Sequence, residues 1–593
     1  MSTRSPSMWM ATFVSRWLAK VIKGRSAQAV APASTPTAMS SVSTPRTSTS
    51  VPHRRHDGPA GQSPVSTVRV STAHWPLLAA VAGVTLAGLP TVNFQYGPDQ
   101  ALFAYIGRKL VQGDVLYVDW WDVKPPGVFW TYALVAWLPG GARTVRAFDL
   151  LVTLATVAAV YALGRLYWGR GAGAVAGFLY GLVYVTGSGY WNMAQPDSFM
   201  VLPLVLGVLA WERGRQTGSR GALLVAGVLF GVAYQYRPVV VLFPLVLVAW
   251  QALEGGWRRA VESALLLTAG ALAVQGAVML YLLLGGALGE YLYAQFRFAR
   301  HYAALGGPYA FDRLTLGNYL SGLRGGVMWF VNSRLLLTAP AFVALFLGGS
   351  LGGDRALYRC GLLLLAAVVG VAVQAKFFVY HWHIALPFLA LPAGWALVQA
   401  WRALRARYAS LPAAGGLAVV TAALLLLTPL VTDRGLGEWR DLVRYVREPA
   451  YRSIYYDRFG LRGHGTYSFK ASEEVAGYVR VRTKPGDTVF VWGYDPNFYL
   501  LSGRDSASRF LSLLPLMPTF TPAAWRHEFV QELERKRPAY ILLQRGENAR
   551  WITGRPDDSY EWVPQFTEFY DLLQREYRFD RRIEDYFIYV RNH

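Results

Sequence analysis

A polytopic α-helical membrane protein, with an α/β domain over residues 433–593 placed outside the bilayer, is the fold class this sequence predicts. Three observations lead there. Apolar runs of roughly 18–25 residues recur between residues 73 and 432, the length that crosses a hydrocarbon core. Only 16% of the 593 residues are charged and 53% are hydrophobic, too little charge for a soluble chain of this size. The short gaps between runs are alternately basic, the pattern of loops held in the cytoplasm.

Residues 1–72 are rich in Ser, Thr, Pro, Ala and Arg. They cannot bury a core and read as a disordered basic tail. Within them Trp9, Phe13, Trp17 and Val21 recur every fourth residue, with Arg16, Lys20, Lys23 and Arg25 nearby. That is the pattern of a basic amphipathic helix on the membrane surface, or equally a remnant upstream of the true start. The formal net charge of +22 does not indicate a nucleic-acid partner, because much of the basic surplus lies in this tail and in short loops. Cys360 is the single cysteine, so no internal disulfide framework exists.

The first span covers about Trp75–Val92. The external loop 94–146 follows, and its apolar segment Pro125–Leu138 is too short to cross and reads as interfacial. The second span is roughly Ala147–Tyr167. Three later apolar runs are too long for one crossing, and each is interrupted by polar residues. Ala172–Trp211 breaks at Asn192–Asp197, Ala222–Trp250 at Gln235–Pro238, and Cys360–Trp401 at Lys376 and at His381-Trp382-His383. Each run predicts two helices joined by a tight turn. Pro sits at or near the start of the second helix, where its missing N–H does no harm.

The last span is roughly Gly416–Thr432, and about eleven spans result over the transmembrane region 73–432. The basic gaps WGRG, WERGRQTGSR, GGWRR, GGDRALYR and WRALRAR put the N-terminus in the cytoplasm and the C-terminal domain outside the cell (plasma or inner) membrane. The other gaps, including a long loop about 289–324, then share the outer face. In residues 433–593, helices are expected at Ser472–Arg482 and Pro522–Lys536. Strands are expected at Thr488–Trp492, Ala539–Leu543 and Asp585–Arg591, the alternation of a small α/β domain. Asp495, Arg504 and Asp505 there read as ordinary loop charges.

The first outer loop holds Asp99, Arg108, Lys109, Asp114, Asp119, Asp122 and Lys124 among aromatic residues. Charges beside a bilayer are costly unless they touch water, one another or a ligand. The loop is therefore the first candidate for an active site, and the plainer reading is an interfacial aromatic belt with solvated charges. By the parity of the spans Asp99, Lys124, Asp197, Arg237, Lys376, His381 and His383 all fall on one face. Asp99 suits a general base. Lys124, Arg237 and Lys376 suit a phosphate. His381 and His383 are an HxH pair that can bind metal on an extended backbone but diverge on a helix. No P-loop, GxGxxG, HExxH or CxxC is present, so the nucleotide and zinc-peptidase machinery those motifs carry is not suggested.

Pro98-Asp99-Gln100, Arg108, Gly113-Asp114-Val115-Leu116-Tyr117 and Lys124-Pro125-Pro126-Gly127 resemble the first external loop of GT-C membrane glycosyltransferases. The nearest branch is glycosyltransferase family 39, which is similar to protein O-mannosyltransferases and to the aminoarabinose transferase of lipid A. The Gln195-Pro196-Asp197 turn and the Tyr380-His381 start of a later span fit the same resemblance, which covers about residues 75–430. It implies transfer of a sugar from a polyprenyl-phosphate carrier to a lipid, glycan or protein acceptor in the cell envelope. It also implies Asp99 as catalytic base, Asp197 as a second acidic site residue, and Lys124 in a donor site that Arg108, Arg237, Lys376 and His381 would join. Many relatives have Asp-Glu where this chain has Asp99-Gln100. That leaves the role of a second carboxylate open, along with a divalent cation at His383 and Asp197. Inverting transfer needs one carboxylate to take the acceptor proton while phosphate leaves from the opposite side of the sugar, with nearby cations stabilising the departing charge. The competing classes are a transporter or flippase, which would place charges deep within spans, and an envelope-assembly scaffold, which needs no carboxylate–cation loop.

Overall fold

The computed structural model describes residues 75–305, 315–407, 434–460, 467–546 and 553–592. The tail 1–72 with its expected amphipathic helix, and the expected span Gly416–Thr432, lie outside these residues.

The membrane part begins with α1 (Trp75–Gly88), continued by a 3₁₀ turn Leu89–Asn93. It proceeds through α2 (Pro98–Val111), α3 (Gly127–Ala136), α4 (Ala142–Trp168), α5 (Arg170–Gly187), α6 (Pro196–Thr217), α7 (Arg220–Tyr234), α8 (Leu242–Gly255) and α9 (Trp257–Leu284). Next come α10 (Leu288–Leu292), a π-helical turn Tyr293–Phe298, α11 (Ala299–Ala304), α12 (Leu316–Ser333), α13 (Leu335–Ala344), α14 (Arg355–Gln374) and α15 (Leu386–Arg407). Six helical stretches among the described residues are long and apolar enough to cross a membrane. The pair α12–α13, bent by 98° at Arg334, makes a seventh when it is counted as one broken span.

The interrupted runs divide as the sequence indicates. α6 opens on Pro196, and Pro238 opens a 3₁₀ turn before α8. A second 3₁₀ turn, Val379–Ala385, precedes α15. Two expectations change. The segment about 289–324 is helical where it is described, because its apolar residues recur with helical rather than loop spacing. Within the first outer loop, Pro98–Val111 is a helix started by Pro98 in its first turn.

Close helix approaches rest on small residues. A Cβ on Gly227 or Gly270 would run into the backbone of the opposite helix where α7 meets α9. At one end of the bundle a charge network ties α4, α6 and α14. The wholly buried Glu212 accepts from Tyr167 Oη at 2.7 Å and Arg215 Nη2 at 2.8 Å, and lies 2.6 Å from Arg359 Nε.

The C-terminal segment adds α16 (Leu436–Arg447), α17 (Tyr451–Asp457), α18 (Phe469–Arg480), β1 (Thr488–Trp492), α19 (Asn497–Ser502), β2 (Asp505–Ser506), α20 (Ala523–Lys536), β3 (Tyr540–Gln544), α21 (Thr567–Glu576), β4 (Tyr577–Ile583) and β5 (Tyr586–Arg591). The sheet order is β2-β1-β3-β5-β4, with β1 parallel to β2 and β3, and β5 antiparallel to β3 and β4. Alternation along β1 serves two faces. Phe490 and Trp492 pack with Phe529 and Phe569 of α20 and α21. Val489 and Val491 join a core shared with Leu102, Tyr105, Val128 and Phe129 of α2 and α3. One face of the sheet is thus continuous with the first outer loop, and that continuity builds the site.

Candidate active site

Asp99 lies in the first turn of α2, where helix N-terminal N–H groups favour a carboxylate. Its Oδ2 accepts from Gln195 Nε2 at 3.1 Å, and its Oδ1 accepts from the Tyr494 hydroxyl. Lys124 Nζ stands 4.0 Å from Asp99 Oδ1 and 3.5 Å from Asp122 Oδ1. Asp122, 4% exposed, also accepts the Lys124 backbone N–H at 2.9 Å, so it fixes both ends of the lysine.

Asp197 occupies the first turn of α6 and is 1% exposed. Arg237 Nε donates to Asp197 Oδ2 at 2.9 Å, Arg237 Nη2 lies 2.8 Å from the same oxygen, and the guanidinium rests over the Tyr380 ring. Lys376 Nζ sits 3.8 Å from the Tyr302 ring centroid, and burial pushes the Lys376 amine down to about 7. Asp99 acts electrostatically on Tyr302, Tyr380, Tyr494 and Arg237, while Lys124 acts on Asp197 and His381. The chain therefore gathers Asp99, Asp122, Lys124, Asp197, Arg237, Tyr302, Lys376, Tyr380, His381 and Tyr494 into one cluster at one end of the bundle.

Buried donors fix the turn that carries Gln195 and Asp197. Gln100 Nε2 donates to the carbonyls of Tyr190, Trp191 and Met193 at 3.3, 2.7 and 2.8 Å. Arg146, 1% exposed, donates to the carbonyls of Met193, Gln95 and Tyr190 at 3.1, 2.8 and 2.8 Å. Tyr132 donates to Ala194, whose φ of 56° marks a tight left-handed turn. The position after Asp99 thus serves as an amide donor to backbone oxygens, which an ionised carboxylate cannot do.

Several expected site residues lie elsewhere. Arg108 is nine residues beyond Asp99 on α2, which puts it on the opposite helix face and about 14 Å along the axis. Its guanidinium is 3.6 Å from Asp505, whose other oxygen is 2.7 Å from Lys109 Nζ. Asp114 accepts from Trp120 Nε1, and Asp119 from the Val115 N–H, so both are loop-shaping. His383 Nε2 and Nδ1 meet the hydroxyls of Ser188 and Ser198 at 3.1 and 3.4 Å. Asp197 is paired with Arg237. No group of three His, Cys, Asp or Glu placed to hold a metal occurs among the described residues.

Sequence reasoning missed Tyr494, and found no catalytic constellation in the C-terminal segment. The available signal was its place just past the carboxyl end of the parallel strand β1, where α/β sheets present functional side chains. The neighbouring charges are structural. Asp495 accepts from Ser472 and Tyr586 at 2.6 and 2.8 Å, and burial pushes its carboxyl up to about 6. Arg504 donates to the carbonyls of Arg480 and Thr483.

Residues 123–281, which include Lys124, Asp197 and Arg237, match the family model described as dolichyl-phosphate-mannose-protein mannosyltransferase. No curated protein matches the chain in sequence. Among solved structures, the chain is similar to ArnT from Cupriavidus metallidurans bound to undecaprenyl phosphate, at 14% identity and a TM-score of 0.54, covering 88% of this chain and 98% of that one. The apo state of the same protein aligns at 15% identity and 0.53, covering 87% and 97%. At these identities the likeness is one of fold.

Proposed function

We propose that this chain is a membrane glycosyltransferase of the GT-C type that moves a sugar, with inversion, from a polyprenyl-phosphate carrier to an acceptor hydroxyl outside the membrane, a reading supported by the family match over residues 123–281. The observation that carries the reading is the carboxylate of Asp99 held 4.0 Å from the Lys124 ammonium in a nearly buried site. A base and a phosphate-binding cation within one cleft are what such a transfer requires.

Asp99 takes the proton of the acceptor hydroxyl as its oxygen attacks the anomeric carbon. The bond from that carbon to phosphate breaks, and its electrons leave on the phosphate oxygen. Tyr494 and Gln195 donate to Asp99 and aim it. Lys124, Arg237 and Lys376 receive the departing phosphate, and Arg237 offers a planar guanidinium whose place Asp197 fixes. A low-dielectric surround strengthens these attractions. The apolar helices beside the cluster suit the isoprenoid chain. The basic gaps of the sequence put the cluster on the outer face, with the N-terminus inside, about eleven spans in all, and the C-terminal segment closing over the site through Tyr494.

Purified protein incubated with a panel of polyprenyl-phosphate sugars should consume at least one donor and release polyprenyl phosphate. No consumption of any donor, with acceptor lipid, glycan and peptide pools present, would reject the proposal.

A further inference from the structure

Next to the catalytic loop lies a cavity of about 360 Å³ lined by Gly286, Gly289, Glu290, Tyr293, Pro522 and Trp525. It has the size of small-ligand sites and has no part in the chemistry above. Its walls come from two parts of the chain, α10 with the π-helical turn on one side and the start of α20 on the other. π-Helical turns are rare and are frequent at functional sites.

The chemistry of the walls is specific. The Tyr293 and Trp525 rings meet edge to face at 5.2 Å, offering aromatic surface at one side. Glu290 is the carboxylate. Its Oε1 stands 3.8 Å from Arg509 Nη2, beyond hydrogen-bonding range, while its Oε2 is buried. The indole N–H of Trp121, 2% exposed, is the side-chain donor that stabilises that carboxylate. A Cβ at Gly286 or Gly289 would meet nothing within 4 Å, so that wall is bare backbone a ligand can approach. Aromatic rings for C–H surfaces, a carboxylate side chain 34% exposed that can accept from hydroxyls, and an open backbone wall are the features that recognise a saccharide.

The cavity is joined to the reaction centre through two contacts. Trp121 packs at 4.8 Å on Trp525 and immediately precedes Asp122 in the chain. On the same π-helical turn as Tyr293, Gln295 donates at 2.7 Å to the carbonyl of Val123, between Asp122 and Lys124. We infer that this cavity is an acceptor-side subsite that binds a sugar residue of a glycan or glycolipid acceptor; the inference rests on the glycosyl-transfer reading for the word acceptor, but not for saccharide binding.

The test is saturation-transfer NMR on the full-length protein in detergent with manno-, chito- and galacto-trioses. Wild type and Asp99→Asn should both show saturation of sugar C–H protons for at least one triose. Tyr293→Ala and Glu290→Gln should each lower that signal more than fivefold while still consuming donor at the wild-type maximal rate, with a raised acceptor KM. Absence of binding by every triose, binding unchanged in both variants, or a cavity that takes choline in their place would overturn the subsite. Binding that responds to the variants in a protein that consumes no donor would keep the saccharide site and reject the transfer reading instead.

Discussion

The same substitution at two aspartates should fail in two different ways. Asp99 receives two hydrogen bonds, from Tyr494 and Gln195, and is 13% exposed. In Asp99→Asn the new side chain can satisfy both partners: its oxygen accepts from Gln195, and its amide donates to the Tyr494 hydroxyl once that hydroxyl turns. The stability cost is therefore about 1 kcal/mol, one exchanged hydrogen bond. Under the proposed mechanism, loss of the base lowers turnover by about 10²–10⁴, equivalent to roughly 3–5 kcal/mol of transition-state stabilisation. Asp197 differs, because its carboxylate is 1% exposed and neutralises Arg237, itself 15% exposed. Asp197→Asn leaves a nearly buried guanidinium without its counter-ion, which costs about 3 kcal/mol of stability. Thermal unfolding in detergent and transfer rates, measured side by side, separate the two. Asp99→Asn should unfold close to wild type and be nearly inactive, while Asp197→Asn should unfold earlier at any level of activity. A stable, inactive Asp197→Asn beside a fully active Asp99→Asn would refute the assignment and move the base to the second turn.

Lys124→Ala and Arg237→Ala should each weaken donor binding at least tenfold, with Arg237→Lys a partial rescue, as read by titration with a non-transferable polyprenyl-phosphate analogue; unchanged affinity in both alanine variants removes them from the phosphate seat. Lys376 has its amine pushed down to about 7 by burial, so donor affinity should fall as pH rises through 7 and Lys376→Met should flatten that dependence. For Asp495 the folded carboxyl titrates near 6, above its ordinary value; the folded state holds the extra proton, so stability falls between about pH 4 and 6 as pH rises. The margin of wild type over Asp495→Asn should shrink across that window in pH-dependent unfolding, and a constant margin contradicts the burial argument. With Cys360 replaced, external thiol labelling should reach Lys484→Cys and spare Gln216→Cys, and the reverse pattern overturns the orientation.

The helix breaks were legible because their causes are local. Pro196 and Pro238 each sit near the start of a helical turn after polar residues, and the chain folds there as written. Asp99, Lys124, Asp197, Arg237 and Lys376 were likewise legible as candidates, since charged groups beside apolar runs demand partners. Arg108 was misplaced because α2 was read as loop. Once the segment is helical, nine residues of rotation carry Arg108 to the far face, onto Asp505.

Hydropathy and the spacing of Pro, Gly and basic residues determined by themselves that this chain is a bundle of apolar helices with its candidate site charges at the helix breaks. Those signals act within a helix or two and need no distant partner. Only the tertiary structure decided which of the charges meet. Tyr494 reaches Asp99 across 395 residues of sequence, and Gln195 across 96. Gln100 reads in sequence as a missing carboxylate, yet it folds as the amide that holds three carbonyls of the second turn. Each of these depends on the C-terminal sheet sharing a core with α2 and α3, and on two turns being pinned against each other by buried donors. Such contacts are set by packing in three dimensions and leave no periodic trace along the chain.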